Sequence, residues 1–262
     1  MSVRPKKHLG QHFLWDKNIA RKIVESFREA PTQHILEVGP GKGILTQYLL
    51  EHFGNRLYAV ELDQESGRYL LEEYPELQDY LIQQDFLAMD FSRYFTGSFS
   101  VIGNFPYNIS SQIFFRLLEY RNSIPFLVGM VQKEVAERIA SPPGSKKYGK
   151  LSVLLQAYYE VKVLFQVGPG SFQPPPRVNS SVVRLRRNET RKLECDEKVF
   201  FQVVKQSFNQ RRKIIRNSLK SFLLNLNVED ERFDKRPEQL GVQDFVEITG
   251  KLTSGQARTS NG

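Results

Sequence analysis

The chain has 262 residues, 40% of them hydrophobic, which allows a packed core and excludes a wholly disordered protein. One cysteine, Cys195, and four scattered histidines exclude an internal disulfide and leave no structural metal centre to expect. The net charge of +8 is concentrated: residues 1–28 hold seven Lys/Arg against two acids, and residues 184–220 hold twelve against four, which points to a polyanionic partner.

In chain order, the basic start "MSVRPKKHLGQHFL" lacks the apolar stretch of a signal peptide, and no later run has the length of a membrane span. A soluble, cytoplasmic protein is expected. Residues 16–29 place apolar side chains at 19, 20, 23, 24 and 27, which is helical spacing. Next come a strand in "QHILEVG", a helix in "GILTQYLLEHF", a strand in "RLYAVELD", a helix in "QESGRYLLEEY" and a strand in "DYLIQQDFL". "FSVIGNFPY" is a fourth strand, "SSQIFFRLLEYR" a helix and "PFLVGMVQ" a fifth strand. Each strand is a short apolar run rather than a polar/apolar alternation, the pattern of a mostly parallel sheet with helices on both faces.

Residues 137–150, "ERIASPPGSKKYGK", read as a polar loop, and "VKVLFQV" and "SSVVRLR" as two more strands. Beyond Asn188 only helical pattern remains, ending in the polar tail "TSGQARTSNG". The expected division is an α/β domain over 1–188 and a small all-α domain over 189–262.

Ligands of such sheets sit beyond the carboxyl ends of the strands. Those ends carry Gly39, Gly41 and Gly43, then Glu61, Asp85 and Asn104-Phe105-Pro106-Tyr107. The glycines let backbone approach a ligand closely. Their spacing departs from G-x-G-x-x-G, and no Lys-Ser/Thr pair follows as a P-loop requires. Glu61 suits two ribose hydroxyls, equally in NAD and in S-adenosylmethionine. Asp85 is able to accept from an adenine amino group, although an N-cap role explains the same residue.

"NFPY" carries the most chemistry. Methylating an exocyclic amine requires drawing its lone pair out of the ring. Two acceptors aimed at the amine, the Asn104 side-chain oxygen and the Pro106 carbonyl, favour a pyramidal nitrogen. Proline fixes the direction of the second acceptor, and Tyr107 offers a face for the base. A plain turn explains Asn and Pro but not the apolar run before them or the tyrosine after.

Taken together, "GQHFLWD", "EVGPGKGILT", "VELD", "QDF", "NFPYNISS", "FQPPPRVNSSVV" and "SFNQRRKIIRNSL" resemble, in order, the motifs of the small-subunit ribosomal RNA adenine N6,N6-dimethyltransferases, the family called KsgA in bacteria. The resemblance runs from about Lys6 to about Leu219. It implies a Rossmann-like methyltransferase domain that uses S-adenosyl-L-methionine to dimethylate two adjacent adenosines. These lie in the loop of the 3′-terminal hairpin of small-subunit RNA, in the assembling 30S subunit. It also implies action late in assembly; no metal is expected, and the protein is expected to be a monomer. Carried onto this chain, His12 and Leu14 close over the cofactor, and Gly39, with Gly41 beside it, meets its methionine part. Glu61 takes the ribose, Asp85 the adenine, and Asn104 borders the transferred methyl. Phe105 departs from the leucine of many relatives. Phe172, before three prolines, is expected to stack on the target base opposite Tyr107, with a core plug as the alternative.

On a helical wheel Phe201, Val204, Phe208, Ile215, Leu219 and Phe222 share one face, and Asn209, Lys213, Arg216 and Lys220 another, with Arg211 and Arg212 at the borders. The basic face suits RNA phosphates. Three other readings compete. They are a large-subunit RNA methyltransferase of the antibiotic-resistance type, a non-catalytic RNA-binding assembly factor on the same fold, and an NAD oxidoreductase. "SFNQRRKIIRNSL" argues against the first, an intact clamp against the second, and the lack of a proton donor beside a hydride site against the third.

Overall fold

The structure is a computed structural model and describes residues 3–6, 9–223 and 229–259. The chain divides into two compact units, 1–136 with 161–187 and 137–160 with 188–262.

In the first unit a short strand β1 (Phe13–Leu14) precedes α1 (Lys17–Phe27), β2 (His34–Val38), α2 (Thr46–Phe53), β3 (Leu57–Val60), α3 (Gln64–Glu73) and β4 (Leu81–Ile82). Then follow β5 (Phe99–Asn104), α4 (Ser110–Glu119) and β6 (Phe126–Gln132). Asp16 and Asp63 start α1 and α3 by accepting from backbone N–H groups that a helix leaves unpaired. The expected strands and helices of this stretch are all present. β4, like β1, has only two residues, a small part of "DYLIQQDFL".

From β6 the chain passes into α5 (Lys133–Ala140), then α6 (Lys150–Gln156), β7 (Tyr159–Val167), β8 (Phe172–Gln173) and β9 (Ser180–Arg187). The seven-stranded sheet has the order β4-β3-β2-β5-β6-β9-β7. β4 through β6 are mutually parallel, and β9 runs antiparallel to β6. The expected mostly parallel, helix-covered sheet is therefore the observed one. Strand order reverses between β2 and β5, and the crevice outside their carboxyl ends is where such sheets bind ligands. The core under it joins Ile35, Leu57, Ile102, Val128 and Met130 of the sheet to Ile23, Phe27 and Leu49 of α1 and α2.

The second unit holds α6, α7 (Glu197–Asn209), a short α8 (Ile215–Ser218) and α9 (Val242–Thr259). Three sequence expectations change here. The first is the domain division, because residues 137–160 group with the C-terminal helices rather than with the sheet. The cause is packing. α6 buries Leu151, Val153, Leu154 and Leu155, Tyr148 meets Phe208 edge-on, and Tyr158 donates to Glu197 at 3.0 Å. Part of the supposed polar loop is also helical, as α5. Second, the basic stretch is not one helix: α7 ends at Asn209 and α8 is a separate single turn, so the wheel drawn across 201–222 does not apply. Third, 253–259 of the supposed polar tail continue α9, and 260–262 lie outside the described residues, as do 224–228 of the helical pattern.

Candidate active site

The strand ends of the first unit meet around a cavity of about 860 Å³, counted to its open mouth. Its walls include Gly39, Gly41, Glu61, Asp85, Asn104, Pro106 and Tyr107, with Gly10, Gln11, His12 and Phe13 closing one side. Five sequence-separated motifs thus line one space of the size of an ordinary cofactor pocket.

The glycine turn has a steric requirement. Gly41 has φ +58, and a Cβ on it would lie 2.8 Å from the Phe13 ring. Its N–H donates to Glu61 Oε2 at 3.1 Å, and Asp63 N–H donates to Glu61 Oε1 at 2.9 Å. Glu61, only 5% exposed, is therefore held rigidly by backbone donors while each oxygen keeps a lone pair for a ligand. Burial raises its pKa, and those backbone donors oppose the rise.

Glu37, at the end of β2, is more deeply buried. Its Oε2 accepts from Thr46 Oγ1 at 2.7 Å, while Oε1 has no partner among the described residues. Burial pushes its carboxyl up to about 8, so it is largely protonated at neutral pH.

Asp85 follows β4 and caps a short 3-10 turn, accepting from Leu87 N–H at 2.8 Å through Oδ1. The capping role and the place on the cavity wall coexist, because Oδ2 is not used by the cap. Beside it the Gln84 side chain carries a buried Nε2 with no partner among the described residues. An unpaired donor beside an acceptor suits the edge of an adenine.

Asn104 closes β5. Its Nδ2 donates to the His12 carbonyl at 2.9 Å, so its oxygen is turned away from that segment. Pro106 O accepts from Ile109 N–H at 3.2 Å and retains a second lone pair. The Tyr107 hydroxyl bonds Ser180 Oγ, and its ring lies 5.2 Å from the His12 ring. Burial raises the Tyr107 pKa, with the Ser180 bond opposing it, so the phenol stays neutral. Between the two acceptors, Phe105 is 1% exposed and its ring covers Gly103 and Gly129, which pair across β5 and β6.

Two expected site residues lie elsewhere. Phe172 is 3% exposed, belongs to the core of the first unit, and pairs with Leu14 where β8 meets β1. It plugs the core, as the alternative expects, and its ring is not free to stack on a base in this structure. Leu14 is buried in the same core. It lines a small neighbouring cavity with Glu37 and Asn104 and is not among the walls of the large one.

This geometry can be set beside known proteins. Residues 3–247 match the model of the family described as "Ribosomal RNA adenine dimethylase". The chain belongs to the ribosomal RNA adenine dimethylase family. A "Ribosomal RNA small subunit methyltransferase A" of Parabacteroides distasonis is 55% identical, the match covering 94% of this chain and 93% of that one. The protein of the same name from Cytophaga hutchinsonii is 50% identical over 96% and 98%. Among solved structures, a dimethyladenosine transferase from Plasmodium falciparum matches with TM-score 0.75 and 24% identity, covering 95% of this chain and 98% of that one. The 23S rRNA methyltransferase ErmE matches with TM-score 0.66 and 25% identity, over 90% and 99%. As a member of the adenine dimethylase family this chain is an rRNA-modifying methyltransferase on a Rossmann-like methyltransferase fold.

Several wall residues of this cavity were not singled out in the sequence. Leu62, 51% exposed, and Phe86 and Leu87 line the cavity next to Glu61 and Asp85. The one sequence signal was an apolar residue immediately after each strand-end acid. Among the described residues no helix is long and apolar enough to cross a membrane, and no group of three metal-ligating side chains occurs.

The five basic residues expected to meet RNA fall into two groups. Arg211 donates to the Lys146 and Ser145 carbonyls, and Arg216 pairs with Asp234 at 3.0 Å. Arg212, Lys213 and Lys220 are exposed and form no ion pair among the described residues.

Proposed function

We propose that this protein transfers methyl groups from S-adenosyl-L-methionine to N6 of two adjacent adenosines. Its target is the loop of the 3′-terminal hairpin of small-subunit ribosomal RNA, within an assembling 30S subunit. The observation that carries this reading is the place of Asn104 and Pro106. Both border the same cavity as Glu61 and Asp85, at the point where strand order reverses. Relatives at 50–55% identity named as small-subunit methyltransferases support that subunit over the large one.

The residues present fit the cofactor. Glu61 accepts from the ribose hydroxyls, Asp85 Oδ2 from the adenine amino group, and the unpartnered Gln84 Nε2 donates to a ring nitrogen. Leu62 and Phe86 flank the base, and Gly39 admits the methionine part. His12 closes the cofactor side. When bound, the cofactor supplies a methyl group made electrophilic by its sulfonium.

The chain's own contribution is orientation. The Asn104 oxygen and the Pro106 carbonyl accept from the two N6 hydrogens, so the nitrogen becomes pyramidal and its lone pair, no longer delocalised into the ring, faces the methyl. Tyr107, held by Ser180 and His12, supports the target base. No general base is needed, because the alkylated, cationic nitrogen loses its proton to water. Holding the partners in line is the main source of rate. In the second unit Arg212, Lys213 and Lys220 contact RNA phosphates, while Arg211 and Arg216 serve the fold.

Primer extension across the 3′ hairpin tests this reading, since a dimethylated adenine cannot pair and stops the polymerase. Two adjacent stops that require protein and cofactor are expected. Stops confined to large-subunit RNA, or none, would refute it.

A further inference from the structure

The segment Leu9–Leu14 is tied to the rest of the first unit at several points. β1 pairs with β8, Phe13 opposite Gln173 and Leu14 opposite Phe172. The His12 ring bonds the Pro174 carbonyl through Nδ1 at 2.8 Å and sits 5.2 Å from the Tyr107 ring. Upstream, Lys6 N–H donates to Gln11 Oε1 at 2.8 Å, and Lys6 Nζ pairs with Asp63. Gly10 passes so close to Asn108 that a Cβ would lie 2.6 Å from its Oδ1. These ties fix the position of one acceptor, the His12 carbonyl, which receives Asn104 Nδ2.

An amide side chain has two faces of opposite character, a donor NH2 and an acceptor oxygen. Rotated by half a turn, Asn104 would set its oxygen against the His12 carbonyl with no hydrogen between them. The seated segment therefore permits one orientation only.

We propose that Leu9–Leu14 is an orienting strap: the His12 carbonyl holds the Asn104 amide so that its oxygen, and not its nitrogen, faces the amine to be methylated. The proposal rests on the reading of Asn104 as an amine acceptor. Leu9, Gly10, Gln11, His12 and Phe13 also wall the large cavity, so one segment both closes the cofactor side and sets the acceptor. His12 is in this respect a positioning residue, through its main chain and through its ring.

Asn104→Asp separates this role from acceptance alone. Aspartate keeps an acceptor toward the amine but, when ionised, has no hydrogen for His12. If acceptance were all, Asp would outperform Ala and approach wild type. With an orienting strap, Asp at pH 8 falls to the level of Asn104→Ala, about 100-fold below wild type in single-turnover transfer. Amide hydrogen exchange of residues 9–14 then quickens roughly tenfold while β5 and β6 stay protected. At about pH 5 the carboxyl is partly protonated, regains a donor, and exchange of 9–14 slows again relative to the Ala variant.

A second pair keeps the test independent of residue 104. His12→Ala removes the bond to Pro174 and quickens exchange of 9–14, whereas His12→Asn keeps a side-chain donor and restores protection. Wild-type transfer by Asn104→Asp, or unchanged exchange of 9–14 in that variant or in His12→Ala, overturns the proposal. Failure of the substrate reading is separately visible: wild-type protein would leave the hairpin unmethylated while exchange still reports on the strap.

Discussion

Gly129→Ala is a stringent probe of how the fold sets the two acceptors. Gly129 of β6 lies opposite Gly103 of β5, and the Phe105 ring fills the space over both. A Cβ on Gly129 would lie 2.2 Å from Phe105 Cε2 and 2.7 Å from Cζ. The ring is 1% exposed and packs edge-on against Phe114 at 6.4 Å, so it has little room to yield. Overpacking of this kind costs about 1–3 kcal/mol, and the upper end is expected because a rigid ring is struck at its far edge. A loss of about 2–3 kcal/mol lowers Tm by roughly 4–12 °C in a domain of this size. Phe105 joins Asn104 to Pro106, so displacement of its ring moves both acceptors, and methyl transfer should fall more than about tenfold. Phe105→Leu shortens the side chain and should absorb the added methyl. The double variant Gly129→Ala/Phe105→Leu is then more stable than Gly129→Ala alone, with a coupling of at least ~1 kcal/mol in urea denaturation. A Gly129→Ala variant with wild-type midpoint and activity, or strictly additive effects, would show that the ring does not hold the turn.

Glu61→Ala and Asp85→Ala should each weaken S-adenosylmethionine binding by at least about tenfold in calorimetry, the loss of a charged hydrogen bond; normal affinity in both would move the cofactor elsewhere. Glu37 is neutral in the folded protein up to about 8 but ionises near 4.5 when unfolded, so the unfolded state binds fewer protons between those values. Stability attributable to this group is intact below about 4.5 and declines as pH rises toward 8, by at most ~1.4 kcal/mol per pH unit. Glu37→Gln keeps an acceptor for Thr46 and should flatten that decline in urea denaturation at pH 5, 6.5 and 8; an unchanged slope refutes the neutral carboxyl. Changing Arg212, Lys213 and Lys220 to Ala should weaken binding to small subunits and reduce the salt slope by about 0.7–0.9 per lost phosphate contact. Arg216→Ala, which breaks the Asp234 pair, should alter the salt slope less than that triple change; an equal loss from each residue would place Arg216 on the RNA as well.

The sheet was legible in the sequence because parallel strands buried on both faces are continuous apolar runs with helices between them. The residues at their carboxyl ends could be listed from that pattern alone, and Gly39, Gly41, Glu61, Asp85, Asn104, Pro106 and Tyr107 do line one cavity. Phe172 was misplaced for a physical reason. Its burial depends on β8 pairing with β1, two strands of two residues each and far apart in the chain, and neither carries a periodicity. The same pairing brings His12 to Asn104, so the strap was equally hidden. The basic stretch misled differently. Apolar spacing continues across "NQRRKII", yet α7 stops at Asn209 and the next residues make a turn, with Lys213 N–H donating to Gln210 O. Composition marked 137–150 as a loop, but burial of the α6 side chains beside α7 drew that whole stretch into the helical unit.

The central claim is tested most directly by nucleoside analysis of the product. Small subunits lacking the modification are incubated with the protein and S-adenosylmethionine. The 3′-terminal RNA fragment is then digested and its methylated nucleosides are quantified by mass spectrometry. The account predicts two N6,N6-dimethyladenosines per subunit from wild-type protein and almost none from Asn104→Ala. Dimethyladenosine in large-subunit RNA instead, or undiminished product from the Asn104→Ala variant, would contradict it.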